Sequence, residues 1–328
     1  MNAGTKDEAM RQGWLFGIAC GAGAALLLGL ASFAPILALL IYAVPLGPLL
    51  AGLIAGVGAA LAAALAFLVV AILFAPTSGI ILFAALALPA ALLARQALLR
   101  RGGQAGSNAA TGSDWSTAGQ LLGGVVFGGM LVAIAAQIAI GSQEEEARAF
   151  LMAQMAGLAE PGPGGQSQLS RDDLAALVAG SLRAAPLGVA MVWVLVMTVN
   201  GVVAQAIATS LRRNLRPSPA YGRVRVPGWV LYAIGASLLL GFVAPEPMGR
   251  IGTIVGIVLA MAYLMQGLAV VHAFARRTGG GRWLLAPFYV LLLVIGPLMP
   301  FAVVLLGLIE DHARYRDRKR GPVGKEEE

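Results

Sequence analysis

The side chains of this chain best placed to do chemistry are uncharged amides set inside long apolar runs. Asn200 lies near the centre of the run 184–211. Thr198, Gln205 and Thr209 share another face of the same helix, because spacings of 7 and 11 residues are close to whole turns. Gln266 lies close to the Gly252, Gly256 and Tyr263 face of its helix, and Gln137 falls on the line of Gly119 and Gly123. Amides in such settings have two uses. They form interhelical hydrogen bonds, worth ~0.6–2 kcal/mol each, or they converge on a pocket for an uncharged or zwitterionic ligand near the middle of a membrane. Asn200, Gln205, Gln266 and Gln137 are therefore the candidate ligand contacts.

Other chemistries lack their residues. No acidic or basic group falls at the middle of an expected membrane helix, where a proton-coupled pump would usually need one. The two histidines, His272 and His312, lie near a helix end and in the tail. No His-Glu-x-x-His, phosphate-binding loop or nucleophile elbow is present. Gly21 and Gly23 do not make a dinucleotide fingerprint, since the third glycine and the preceding strand are missing. A single cysteine, Cys20, allows neither a disulfide framework nor a cysteine-based metal site within one chain. The expectation is a protein that is not an enzyme and needs no cofactor.

The elements that must position these amides are membrane helices. Of 328 residues, 59% are hydrophobic and only 12% charged, against ~25% in soluble domains. Mean hydropathy is +0.81. Between Arg11 and Arg95 lie 83 residues without an ionisable Asp, Glu, Lys, Arg or His. A crossing needs ~20 apolar residues. Further charge-free runs at 115–143, 184–211, 226–245, 251–271 and 283–309 are each long enough to cross at least once. Continuous apolar runs exclude an alternating β-barrel. The fold class is all-α, a polytopic membrane bundle of eight to ten crossings.

Proline and glycine divide the first block, 14–101. Helices are expected at Trp14–Ala31, Leu49–Phe74 and Ile80–Ala94, the last kinked at Pro89. The piece Phe33–Val44, broken at Pro45 and Pro48, is a tilted pass or a re-entrant element. The first helix is read as retained rather than as a cleaved leader. A Gly/Ser/Asn/Thr-rich linker, 102–116, leads to a second block, 117–309. Its last run, 283–309, is expected to turn back on itself at Pro297 and Pro300.

Lys and Arg set the orientation. With the N-terminal segment 1–13 and the tail 310–328 both inside, 19 basic residues lie on the cytoplasmic side and 4 outside. That pattern fits a multi-pass protein with both ends on the cytoplasmic side. The loop 142–183 is then external. It reads as two amphipathic helices, one with Leu151, Met155 and Leu158 on its apolar side. The other is capped by Ser170 with Asp173 and carries Leu174, Leu177, Val178 and Leu182. This pair either packs as a surface element or serves as a lid or docking surface. Arg212, Arg213 and Arg216, with Arg316 and Arg318 in the tail, are candidate contacts to anionic lipid or to protein partners. Topology alone explains the +7 charge, so no nucleic-acid partner is expected. Small residues recur every fourth position at Gly13, Gly17, Gly21, Ala25 and Gly29, at Gly52, Gly56, Ala60 and Ala64, and at Gly252, Gly256 and Ala260. Such stripes let helix backbones approach closely, within the bundle or at a dimer face.

Four segments carry a family resemblance: Leu182–Pro186 leading into the Asn200 helix, Tyr263–His272, Leu306–Arg316 and the Pro45–Pro48 turn. They resemble the YybS-like family of bacterial membrane proteins, domain of unknown function 2232, over most of residues 14–320. The family typically has an aromatic-rich stretch after Asp311, where this chain has His312, Ala313 and Tyr315. The layout is also similar to substrate-binding subunits of energy-coupling-factor vitamin transporters and to the rod-shape protein MreD. The resemblance implies a compact bundle with a pocket, working with partner proteins. The function expected first is a small-molecule-binding or transport-associated subunit without its own ATPase. The alternative is a scaffold that recruits envelope or cytoplasmic proteins.

Overall fold

The computed structural model describes residues 3–31, 35–100, 115–158, 170–219, 221, 224–276, 281–296 and 298–313. Seven helical segments among them are long and apolar enough to cross a membrane, and three shorter apolar helices accompany them. The protein is an all-α, polytopic membrane helix bundle, and no strand or sheet stands among the described residues. The linker residues 101–114, the breaker at Pro161–Gly165 and the tail with Arg316 and Arg318 lie outside the described residues.

The chain divides into two compact units. The first comprises 1–126, 195–230 and 260–328. It opens with α1 (Ala3–Ala31), a tight 3-10 helix at Pro35–Ala43, α2 (Leu46–Ala55) and α3 (Val57–Phe74). The expected helix Leu49–Phe74 is therefore two helices. Gly56 breaks it, with φ of 97°, a conformation open to glycine and costly for other residues. α1 packs on α3 through the small-residue stripe. A methyl group on Gly17 or Gly21 would collide with the backbone of Ala59 or Ala63. The stripe thus serves packing inside the bundle, where lipid supplies no hydrophobic drive and close backbone approach supplies dispersion.

α4 (Pro76–Leu82) runs through a π-turn at Phe83–Ala87 into α5 (Leu88–Ala97). The wide turn lies just ahead of Pro89, the expected kink, and absorbs the missing N–H there. α6 (Ala118–Ser142) starts with a capping box: Gln120 N–H donates to Thr117 Oγ1 at 3.3 Å, and Thr117 N–H to Gln120 Oε1 at 3.0 Å. The later part of this unit includes the C-terminal half of α10 (Met248–Ala275), α11 (Gly281–Val294) and α12 (Leu298–Ala313). The run 283–309 is thus two helices, as its prolines suggest. Gly307 of α12 sits against the Tyr263 carbonyl, and Gly267 of α10 against the Val303 carbonyl. A side chain at either glycine would push α10 and α12 apart.

The second unit comprises 127–194 and 231–259. α7 (Glu144–Met155) lies in it, with the N-terminal part of α8 (Arg171–Ser210) and most of α9 (Gly228–Val243). α8 runs unbroken for 40 residues through Pro186, so the two expected helices, one capped at Ser170 and one at 184–211, are a single element. At 1.5 Å per residue it is about 60 Å long, roughly twice the hydrocarbon thickness. Its cap is the expected one: Asp173 N–H donates to Ser170 Oγ at 3.1 Å, and the Ser170 hydroxyl donates to Asp173 Oδ2 at 2.7 Å. The two amphipathic stripes meet. Leu174, Val178 and Leu182 form a core against Ala147, Leu151, Met152 and Met155 of α7, joined by Ile140. Gly252 and Gly256 hold α10 against Ser237, Leu238 and Gly241 of α9.

Candidate functional site

Helix breaks in the first unit create the site. A helix leaves its last carbonyls without partners inside the helix, and in a membrane there is no water to satisfy them. The loop residues 211–219, which follow α8, answer two of these ends. Leu215 N–H donates to Leu53 O near the end of α2, at 2.9 Å. Arg216 reaches the end of α5, where its Nη1 donates to Ala97 O at 3.0 Å and its Nη2 to Ser116 O at 3.1 Å. Nε adds a 3.3 Å bond to Pro217 O. The loop leaves α8 through a Schellman turn. Arg213 N–H bonds Ala208 O, Arg212 N–H bonds Thr209 O, and Arg212 takes the left-handed position at φ 54°.

Under this loop lies a cavity of about 470 Å³. Its wall is mainly apolar, with residues such as Leu53, Leu93, Leu121, Val125, Met197 and Met265. Polar groups gather where α5, α8 and α10 end: Gln205, Arg216 and Tyr221, with His272, Arg276 and Tyr289. The size falls within the ~300–1,000 Å³ of ligand pockets, and an apolar wall with a few convergent polar groups is their usual composition. No Asp or Glu lines it.

The electrostatics follow from burial. Arg216 is 3% exposed, and no carboxylate among the described residues pairs with it. Burial lowers its pKa from the ordinary arginine value, opposed by Tyr221, whose own pKa burial raises. The guanidinium still carries its charge at neutral pH. The end of α5 offsets about half an elementary charge. His272 Nδ1 lies 2.8 Å from Leu268 O and must donate to it, since a carbonyl only accepts. In the neutral imidazole Nε2 is then the acceptor for the Tyr289 hydroxyl, at a long 3.4 Å. The two rings meet edge to face, with centroids 6.0 Å apart.

The amides singled out from the sequence divide. Gln205 lines the cavity and ties α8 to the loop, its Nε2 within 3.3 Å of Thr209 Oγ1 and 3.4 Å of Ser218 Oγ. Asn200 does not line it. Its Nδ2 donates to Tyr42 O, at the end of the 3-10 helix, and to Val196 O, both at 2.8 Å. Gln266 is fully buried. Its Oε1 accepts from Val226 N–H at 2.7 Å and its Nε2 donates to Gly307 O at 2.8 Å. Gln137 belongs to the second unit, and its buried Oε1 has no hydrogen-bond partner among the described residues. Arg212 and Arg213 are exposed, as a surface role needs. Arg216 is not on a surface, because carbonyls left by broken helices draw it inward. His272, Arg276 and Tyr289 were not among the expected contacts. A signal for two of them was present: Met265, Leu268, Ala269, His272 and Arg276 repeat at helical spacing along one face of α10.

The family described as Predicted membrane protein (DUF2232) matches residues 22–310. The chain belongs to that family. It is thus an integral, multi-pass membrane protein of an uncharacterised bacterial family. The DUF2232 match begins within α1 and ends at Glu310, so every residue lining the cavity falls inside it. No curated protein and no solved structure matches the chain. Among the described residues, no group of three or more His, Cys, Asp or Glu is placed to hold a metal ion.

Proposed function

We propose that this DUF2232 protein is a small-molecule-binding subunit of the bacterial inner membrane, transport-associated and without an ATPase of its own. The cavity carries the reading: an apolar chamber of about 470 Å³ with its polar groups collected at one end. An apolar chamber with a few polar groups converging at one end is the usual composition of a ligand site. The Lys/Arg bias of the loops supports cytoplasmic N- and C-termini, which puts the Arg216 and Arg276 end of the chamber on the cytoplasmic side.

Gly201 supplies the test. It lines the cavity, and a Cβ built there meets nothing within 4 Å. Gly201→Leu therefore puts a side chain into the chamber with no clash at its Cβ, obstructing it, and it removes a helix-weakening glycine. A thermal-shift screen of small amphiphiles should find compounds that stabilise the wild type, by about 2.7 kcal/mol at a hundredfold excess over Kd. The same compounds should leave Gly201→Leu unmoved. Equal shifts in both proteins would mean that binding occurs elsewhere.

A scaffold role has one observation in its favour, the exposure of Arg212 and Arg213 on the turn after α8. Replacing both by Gln should abolish recovery of a recruited partner from detergent extracts while leaving cavity ligands bound. Unchanged recovery would remove that role.

A further inference from the structure

Two features of the chamber specify its ligand further, given that it binds one at all. The first is sign. Two arginines and a histidine line it, and no carboxylate does. The α5 end neutralises only about half of the Arg216 charge. Among the described residues Arg276 has no ion-pair partner. The chamber therefore holds net positive charge with no acid to compete for it, which favours an anion over a neutral or cationic ligand. The second feature is polarity along its length. Gln205, Arg216, His272 and Arg276 lie toward the C-terminal ends of α8 and α10, and Met197 and Met265 lie deeper on the same two helices. A ligand that satisfies both has a charged head at the helix ends and an apolar body in the bundle.

We propose that the chamber takes a single-chain amphiphile with an anionic head, a carboxylate or a phosphate. Its head lies among Arg216, Arg276 and Tyr289 and its chain against the apolar walls of α5, α6 and α8. Arg216 spends three N–H groups on Pro217, Ala97 and Ser116 and keeps donor capacity for the head. Tyr289 holds His272 only at 3.4 Å and can turn its hydroxyl to a stronger, charged acceptor. The limited volume suits one chain. The arrangement also matches how such a molecule lies in a bilayer, with its head at the interface and its chain inward.

The test uses the full chain in phosphatidylcholine nanodiscs. Three photoreactive probes of one chain length are compared: tetradecanoic acid, tetradecyl phosphate and tetradecanol, each with a diazirine on the chain. Labelled peptides are mapped by mass spectrometry and normalised to labelling of the nanodisc scaffold. The acid or the phosphate should label the cavity segments of α8 and α10 about tenfold more than the alcohol, the factor expected from a charge-assisted hydrogen bond. Whichever anion labels more strongly names the head. Arg276→Gln, a change at an exposed residue, should bring anion labelling down toward the alcohol level with the unfolding temperature unchanged. Equal cavity labelling by all three probes would overturn the anionic head and leave the binding subunit intact. No cavity labelling by any probe would overturn both.

Discussion

Two regions of the first unit hold buried amides, and they use them in opposite ways. Asn200 and Gln266 point their polar atoms at backbone. Asn200 bonds the Tyr42 carbonyl at the end of a 3-10 helix, and Gln266 clasps Val226 N–H and Gly307 O. Gln205 shares the Asn200 helix but opens on a chamber beside Arg216, His272 and Tyr289. The residue type is the same and the local sequence is similarly apolar. What differs is the neighbouring backbone. Asn200 is consumed at the end of the 3-10 helix, where an unsatisfied carbonyl in a membrane would cost several kcal/mol, and Gln266 is consumed in tying the segment ahead of α9 to α12. An intramembrane amide is therefore a candidate ligand contact only where a cavity, and not backbone alone, stands beside it.

The contrast can be broken at several points. The largest effect should come from Gly307→Leu, which drives a side chain into the Tyr263 carbonyl at the α10–α12 crossing. It should cost about 3 kcal/mol or more as an overpacked contact, read as loss of folded protein on size-exclusion chromatography. Gln266→Ala leaves Val226 N–H without its partner and should cost about 1–3 kcal/mol in a detergent unfolding titration. Asn200→Ala removes a hydrogen-bond donor from the 3-10 helix end and should cost about 1–2 kcal/mol. Neither amide variant should weaken ligand binding beyond the loss of folded protein. A ligand defect in a well-folded Gln266→Ala protein would return that residue to the site. Gly201→Ala should have the smallest effect and the opposite sign, a gain of about 0.5–1 kcal/mol, because it adds helix propensity in open space.

Much of the frame was legible in the residues. The charge-free runs gave the helices, the glycine stripe of α1 marked a close-packed face without naming its partner, and Ser170 with Asp173 gave the start of α8. The apolar stripes of 142–183 meet in one small core. Two boundaries were not legible. Gly56 looks like one more member of a small-residue stripe, and only its φ of 97° shows that it ends a helix. Pro186 looks like a helix start, yet α8 absorbs it and continues. Arg216 follows the same logic. Its sequence neighbours are charged and it reads as a surface residue, but its place is fixed by carbonyls at Ala97 and Ser116, about a hundred positions away in the chain. The cavity depends on those distant contacts, so Gln205 was recognisable as polar and Tyr289 was not recognisable as a site residue at all.

The most direct measurement is native mass spectrometry of the wild type and Gly201→Leu, each released from lipid nanodiscs under identical conditions. A binding chamber predicts a bound small-molecule mass on the wild type that is missing from a folded Gly201→Leu protein. Identical spectra, with the same adducts or none on both, would contradict it.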